Sequence, residues 1–228
     1  MSVEVRVVDY GVGNLFSVCR ALECCGFEPV LVETSRAILT AERLVLPGVG
    51  AFRDGMRELQ ARGLVQPIRD YCKSGRPLLG ICLGMQMLLE HSEEFGVHEG
   101  LGVIRGRVVG IPNCARDGRP HKIPHIGWSA LQPARDSGKG WEGTILKDIR
   151  PGESTYFVHS FNAMPDCEEH CLAYSCYGGL RITAAIHSGG IYGCQFHPEK
   201  SGPTGLRILK SFAELGNLAS NPTEATVV

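Results

Sequence analysis

The apolar residues of the first hundred positions form short runs that alternate between strand-like and helix-like spacing. β-Branched residues predict a strand over 3–8. Apolar positions three and four apart predict a helix over 15–25, with Asn14 as its N-cap and Gly26 at its end. The alternation continues with predicted strands over 29–33, 43–46 and 78–81, and predicted helices over 52–62, 65–74 and 83–91. This order is typical of a parallel sheet with helices on both faces.

After about Gly100 the pattern becomes mostly strand-like, with predicted strands over 103–109, 126–131, 155–159, 172–177, 182–187 and 191–196. We expect these strands to extend the sheet in antiparallel fashion. A last helix is predicted over 203–215, with Ser201 as a possible cap, followed by a polar segment. The chain is therefore interpreted as one α/β domain over residues 1–216 and a flexible C-terminal tail over 217–228.

Composition narrows the possible functions. Twenty-three Lys and Arg residues against 24 Asp and Glu residues leave a formal charge of -1, which gives no overall attraction to nucleic acid or anionic membrane. No signal peptide and no run of 18 apolar residues is present, so we expect a soluble, cytosolic protein with a small neutral or zwitterionic substrate. The ten cysteines are interpreted as reduced thiols, most of them buried.

One cysteine has distinctive neighbours. Residues 77–86 read PLLGICLGMQ, an apolar strand followed by a helix, with Cys82 between Gly80 and Gly84. Small residues around one nucleophilic side chain at a strand-to-helix corner are what a nucleophile elbow requires. The alternative is that Cys82 is one more core cysteine, and the two glycines argue against it.

A histidine and a carboxylate near the C-terminus supply the partners of such a nucleophile. In IYGCQFHPEK, residues 191–200, a strand ends at His197 and Glu199 follows two positions later. Extended spacing would put both side chains on one side, so that the carboxylate orients the imidazole. Alone, the segment could be a surface turn without function. Together with the elbow it predicts a Cys-His-Glu triad.

Residues 46–50, LPGVG, follow a predicted strand and allow close approach of the main chain to a developing oxyanion, although they could also form an ordinary turn.

Neither G-V-G segment completes a dinucleotide fingerprint, and no P-loop is present. Cysteine and histidine residues are concentrated near position 170, but no C-x-x-C pair supports zinc there, at Cys167, His170, Cys171 and Cys176. We expect neither a metal nor a cofactor. His121, His125 and His187 are interpreted as loop or core histidines.

The three motifs PGVG, GICLGMQ and FHPEKS resemble the oxyanion strand, elbow and triad of the class I glutamine amidotransferases, over roughly residues 3–215. The resemblance implies a flavodoxin-like three-layer sandwich. It also implies that Cys82 attacks the glutamine side-chain amide, that His197 transfers the proton and that Glu199 orients His197. The other implied site residues are Val49, Gly50 and Leu83 at the oxyanion hole, and Gln86, Glu94, Ser160 and Phe161 at the substrate.

Further segments, DYGVGN, KIPHIGW and YFVHSF, narrow the resemblance to glutaminases that serve imidazole glycerol phosphate formation in histidine biosynthesis. The implied partner is a (βα)8-barrel cyclase, which forms a heterodimer with the chain and receives ammonia through an internal passage. Gly11, Asn14, Trp128 and Lys200 would face it. Ser129 departs from the pattern, which often has Asn there.

Two other functions remain open from the sequence. One is a glutaminase for a different synthase, or a stand-alone γ-glutamyl hydrolase, against which the DYGVGN and KIPHIGW segments argue. The other is a non-catalytic sensor with Cys82 as a redox thiol. An intact histidine and carboxylate argue against the sensor, because a sensor thiol needs no general base.

Overall fold

The computed structural model of the protein describes residues 2–135 and 140–215, so the predicted tail over 217–228 lies outside the described residues. The strands are β1 Glu4–Val8, β2 Glu28–Val32, β3 Leu44–Gly48, β4 Leu78–Cys82, β5 His91–Ser92, β6 His98–Glu99, β7 Gly106–Gly110, β8 His125–Ala130, β9 Gln132–Pro133, β10 Ser154–His159, β11 Phe161–Pro165, β12 Cys171–Tyr177, β13 Leu180–Ser188 and β14 Ile191–Cys194. The helices are α1 Leu15–Cys24, α2 Ser35–Leu39, α3 Phe52–Ala61, α4 Val65–Lys73, α5 Leu83–Met87 and α6 Gly202–Glu214.

The main sheet has eight strands in the order β2-β1-β3-β4-β14-β13-β12-β9. Pairing is parallel from β2 to β14 and antiparallel from β14 onward. The predicted mixed sheet, mostly parallel with an antiparallel extension, is therefore confirmed. The central parallel strands β3 and β4 are buried on both faces, which explains their continuous apolar runs.

Two hydrophobic clusters cover the two faces of this sheet. Val45 and Leu79 pack with α1 and α6, whereas Leu44, Leu46 and Leu78 pack with α3 and α4. Each helix buries one stripe; in α3 the stripe runs over Phe52, Gly55, Met56 and Leu59. Helices on both sides of one sheet give the three layers that the sequence predicts. Within the described ranges, no helix combines the length and apolarity needed to cross a bilayer.

Three predicted strands do not join the main sheet. The segments predicted over 126–131 and 155–159 pair with each other as β8 and β10, and the segment over 103–109 becomes β7 in a separate sheet ordered β11-β7-β5-β6. The expectation that all of them extend the main sheet was wrong. The alternating pattern predicts that a segment is a strand, but it does not predict which other strand that segment pairs with.

The predicted helix over 83–91 was too long, because the structure ends it at Met87. The carbonyl groups of Met87, Leu88 and Leu89 accept N–H groups from residues 101–104 instead of continuing the helix. His91 consequently lies in β5, paired with β6 and β7. Tertiary hydrogen bonds here override a helical pattern.

Helix caps also differ from the prediction. Asn14 and Ser201 occupy the N-cap positions of α1 and α6, but neither side chain makes a capping hydrogen bond. The short helix α2 was not predicted, and Thr34 caps it by accepting the Ala37 N–H at 3.3 Å.

The sheet topology determines where the chemistry can lie. Strands β1, β3, β4 and β14 run parallel, so their carboxyl ends meet at one edge. Gly48, Cys82 and Cys194 end three of these strands. Open α/β sheets bind ligands at such an edge.

Candidate functional site

Cys82 lies in a tight corner between β4 and α5. Its φ of 54° is positive, a conformation that costs a non-glycine residue on the order of 1–3 kcal/mol. Gly80 and Gly84 leave room for this corner, because a side chain on Gly80 would lie 2.8 Å from the Gly84 carbonyl and one on Gly84 would overlap the Leu46 carbonyl. This geometry is that of the predicted elbow.

His197 and Glu199 form a buried pair beside Cys82. His197 Nδ1 donates to Glu199 Oε1 at 2.8 Å, and the two side chains are 2% and 1% exposed. Residues 198–200 form a 3-10 turn, so the extended spacing that the sequence suggests was wrong, although the two side chains still meet. With Nδ1 bound to the carboxylate, Nε2 is the atom that exchanges protons with a thiol.

The surroundings of His197 favour its charged form. Burial alone lowers the pKa of His197, but hydrogen bonds to Cys82 and Glu199, and their negative charges, outweigh burial and raise it to about 9. An imidazolium is therefore stabilised between two anionic partners. This is the state needed to protonate a leaving amine.

The loop that carries His197 is tied to β10 by two hydrogen bonds and braced by a third within the loop. His197 N–H donates to the Tyr156 carbonyl at 2.9 Å, and Tyr156 N–H donates to Ser201 Oγ at 2.9 Å. Ser201 Oγ in turn donates to the His197 carbonyl at 2.6 Å. Ser201 therefore fixes the histidine loop, which explains why it does not cap α6.

The segment after β3 borders the same site. Gly50 has a φ of +97°, which favours glycine, and Val49 is 37% exposed. The Tyr10 hydroxyl donates to the Pro47 carbonyl at 2.8 Å and holds the strand end. Gly48 cannot be replaced without a clash, because a Cβ there would lie 2.7 Å from that hydroxyl and 2.9 Å from Gly84 N.

One cavity of about 320 Å³ collects most of the predicted site residues. Its lining consists of Val49, Gly50, Cys82, Leu83, Gln86, Glu94, Pro124, Val158, His159, Ser160, Phe161, His197 and Lys200. All predicted oxyanion and substrate residues are among them. Glu199 lies behind His197 rather than in the wall. The volume is at the small end of the range for ligand pockets, which suits a small molecule.

A ladder of amide groups runs behind the nucleophile. Gln86 Nε2 donates to the Phe161 carbonyl at 3.3 Å and to Gln195 Oε1 at 3.0 Å. Gln195 Nε2 lies 3.8 Å from Cys82 Sγ. Sequence reasoning did not single out Gln195. The available signal was a polar residue directly after the apolar run that leads to His197, and the structure shows that this residue is fully buried.

Glu94 is already engaged by the protein. Its Oε2 accepts the Phe52 N–H, at the first residue of α3, at 2.6 Å, and the side chain is buried. A carboxylate at this position also complements the positive end of the helix dipole. Glu94 therefore lines the cavity and at the same time caps α3, a second role that the sequence did not suggest.

Only one of the four predicted interface residues lines the cavity. Lys200 lines the cavity, whereas Gly11, Asn14 and Trp128 lie outside its lining. Trp128 is 58% exposed and contacts Tyr156 edge-on, at 6.0 Å between ring centroids. The Tyr156 carbonyl accepts the His197 N–H, so Trp128 contacts a residue that is hydrogen-bonded directly to the histidine loop.

Most of the cysteines are not buried. Only Cys82 and Cys194 are buried, and four thiols are exposed: Cys24, Cys114, Cys167 and Cys176. The expectation that most are buried was wrong, because cysteine tolerates helix ends and loops. Over residues 2–135 and 140–215, no group of three or more His, Cys, Asp and Glu side chains is arranged to hold a metal ion.

Comparison with known proteins gives concordant results. The class I glutamine amidotransferase family matches residues 6–215. Imidazole glycerol phosphate synthase subunit HisH 1 of Legionella pneumophila (strain Lens) is 52% identical, over 93% of this chain and 99% of that protein. Subunit HisH of Geobacter sulfurreducens is 45% identical, over 93% and 99%. A solved glutamine amidotransferase superposes with a TM-score of 0.67 at 20% identity, over 92% of this chain and all of that one, which shows the shared fold.

Proposed function

This chain belongs to the class I glutamine amidotransferases, and from that membership we propose that it is the glutaminase subunit of an imidazole glycerol phosphate synthase. It hydrolyses L-glutamine to glutamate and ammonia as a single domain over residues 1–216, in the cytosol, and serves histidine biosynthesis. The observation that carries the proposal is one cavity that combines Cys82 with the buried His197–Glu199 pair. Relatives aligned over nearly their full length support the assignment to this synthase.

The chemistry follows triad logic. Cys82 Sγ, as thiolate, attacks the side-chain carbonyl carbon of glutamine, and the C–N bond breaks as His197 gives its proton to the departing nitrogen, which leaves as ammonia. The product on the enzyme is a γ-glutamyl thioester. Water then attacks this thioester, His197 accepts the water proton, and the C–S bond breaks to release glutamate. Glu199 stabilises the imidazolium in both halves of the reaction.

The cavity wall suggests how glutamine is held. Backbone N–H groups of the Val49–Gly50 segment and of Leu83 would stabilise the oxyanion, a contribution worth about a hundred- to a thousandfold in turnover per donor. The main chain at Ser160 and Phe161 would meet the α-carboxylate, and Gln86 contributes to the same wall. The Glu94 carboxylate, which also lines the cavity, would bind the α-ammonium group.

We further propose that a (βα)8-barrel cyclase docks over the cavity mouth and receives the ammonia. Lys200 at the rim, exposed Trp128 on β8, and Gly11 and Asn14 in the β1–α1 turn provide the surface. Enclosing the mouth would keep ammonia from bulk water. A partner docked on this rim would also contact the Val49–Gly50 segment. The flanking Gly48 and Gly50 ease the peptide reorientation needed to form an oxyanion hole.

The test is a steady-state assay of glutamate release by the chain alone, with a cyclase subunit, and with the cyclase and its ligand. We expect weak activity alone and strong stimulation by the liganded cyclase. Cys82→Ser should abolish turnover, whereas Cys176→Ser, the same change at an exposed thiol, should not. Full activity without a partner would refute the coupling, and turnover that survives in Cys82→Ser would refute the site. Lys200→Ala should weaken the stimulation.

A further inference from the structure

Two buried histidines at the cavity have no role in the chemistry above; one of them, His159, lines the cavity and the other pairs with it. His125 on β8 and His159 on β10 occupy paired positions and are 1% and 6% exposed. His125 Nδ1 lies 3.2 Å from His159 Nε2. The ring nitrogens of such a buried pair need hydrogen-bond partners, and these partners decide which nitrogen of each ring carries the proton.

The hydrogen-bond partners fix the proton positions. His159 Nδ1 lies 2.8 Å from the Phe161 carbonyl, which can only accept, so Nδ1 carries a proton. In the neutral ring Nε2 is then an acceptor, and His125 Nδ1 must donate to it. His125 Nε2 is left to accept from Ser129 Oγ at 2.9 Å. Donation therefore runs in one direction, from Ser129 through both rings to Phe161.

With these tautomers both rings are neutral. Protonation of His159 at Nε2 would force His125 to carry its proton on Nε2 and to donate to Ser129 Oγ, so the bonds between Ser129 and His159 would have to reverse their direction. Burial, and after it the charge of His121, lowers the pKa of His125 to about 4. Burial, and after it the charges of His125 and His197, lowers that of His159 to about 4 against the opposing bond to Phe161. The titratable groups that face the pair include Tyr177, His121 and His197.

The chain of bonds ends on a carbonyl that matters to the site. The Phe161 carbonyl also accepts Gln86 Nε2, and Gln86 leads through Gln195 to Cys82. Phe161 itself lines the cavity. The orientation of this peptide group is therefore held by two hydrogen bonds to its carbonyl, one from His159 Nδ1 and one from Gln86 Nε2.

We propose that His125 and His159 are positioning residues for glutamine: as a neutral pair with fixed tautomers, they hold the Phe161 peptide in the orientation that the substrate-binding wall needs. The role in glutamine binding rests on the proposed function. The tautomers rest on the hydrogen bonds and on the neutrality of both rings. The two parts are therefore tested by different measurements.

The first test compares two replacements of His159 in the complex with the cyclase. Asn can place an amide donor where Nδ1 stands, whereas Leu cannot. We expect His159→Leu to raise the KM for glutamine about tenfold, with a smaller effect on kcat, as the loss of one buried hydrogen bond implies. His159→Asn should restore most of the affinity. His187→Leu is the matched control, because that imidazole bonds the Gly189 carbonyl of its own loop and stacks on Tyr192, and neither residue lines the cavity. Equal KM values for the Leu and Asn variants would overturn the proposal.

The second test needs no activity. Long-range ¹⁵N NMR of the histidine-labelled chain should show both rings neutral at pH 6–7 with the proton on Nδ1. A protonated ring, or an Nε2–H tautomer at either position, would overturn the proposal even if glutaminase activity is normal. If the wild-type chain does not hydrolyse glutamine even with the liganded cyclase but shows these tautomers, the proposed function fails and the hydrogen-bonded pair stands.

Should His159→Leu fail to fold, substitutions of Ser129, at the other end of the chain of hydrogen bonds, test the same proposal. Ser129→Ala removes the donor to His125 Nε2, whereas Ser129→Thr keeps a hydroxyl. We expect a higher KM in the Ala variant and a nearly normal KM in the Thr variant. Identical KM values in these two variants would overturn the role of the pair.

Discussion

Replacing Glu199 by Gln removes a negative charge beside His197 with almost no change of shape. Two hydrogen bonds and two charges raise the pKa of His197 from 6.5 to about 9, and Glu199 supplies one of each while Cys82 supplies the others. Burial acts against them, and Glu199 is the partner that Nδ1 contacts directly, at 2.8 Å. An opposite charge at contact distance typically shifts a pKa by about 1–3 units, so the loss of Glu199 should lower the pKa of His197 by at least about one unit, which corresponds to about 1.4 kcal/mol.

The assay is kcat/KM for glutamine from pH 6 to 10, measured with the cyclase partner present. The imidazolium form is lost as pH rises through the pKa of His197, so wild-type activity should fall near pH 9. In Glu199→Gln this alkaline limb should move below about pH 8, and kcat should drop at least roughly tenfold. His197→Ala should lose more, because it removes the proton carrier itself.

The matched control is Glu99→Gln, the same chemical change at an exposed position on β6. It should leave both the rate and the pH profile unchanged. If Glu199→Gln keeps the wild-type alkaline limb and turnover, then Glu199 does not control the protonation of His197. The triad would then reduce to a Cys-His dyad.

Three further predictions follow from the geometry. A glutamine-like chloroketone should label Cys82 alone among the ten cysteines in peptide mapping, and label on exposed thiols would count against a substrate-directed site. Gly84→Ala should lower the free energy of unfolding in urea by about 1–3 kcal/mol, despite better helix propensity, because its Cβ overlaps the Leu46 carbonyl. Gly110→Ala, which meets nothing within 4 Å, is the control. The His197 pairing stabilises fully below pH 6.5 and is lost as pH rises through about 9, so wild type should lose more stability over that range than His197→Ala. Equal losses would contradict this linkage.

The sequence predicted those parts of the site in which local pattern and chemistry coincide. A strand that ends at Cys82 between two glycines and a strand that ends before His197 are short, contiguous signals. Their meeting follows from the rule that parallel strands share a carboxyl edge.

The parts that were missed depend on contacts distant in sequence. Gln195 gains its meaning only from Gln86, more than a hundred positions away. The helix after Cys82 ends early because a loop some fifteen residues later takes its carbonyl groups. His125 was interpreted as a loop or core histidine, and its burial against His159 depends on β8 pairing with β10 rather than with the main sheet. No local periodicity encodes such choices of partner.

The place of β14 in the sheet determines when the enzyme can first exist during synthesis. Among the described residues only a 3-10 turn and α6 follow this strand, yet it lies in the interior of the sheet, between β4 and β13. Until residues 191–194 leave the ribosome, the edge of β4 stays unpaired and the Cys82 elbow has no neighbouring base. A chain released early therefore carries its thiol without a means to activate it, and its exposed strand edge is a signal for chaperones and proteases.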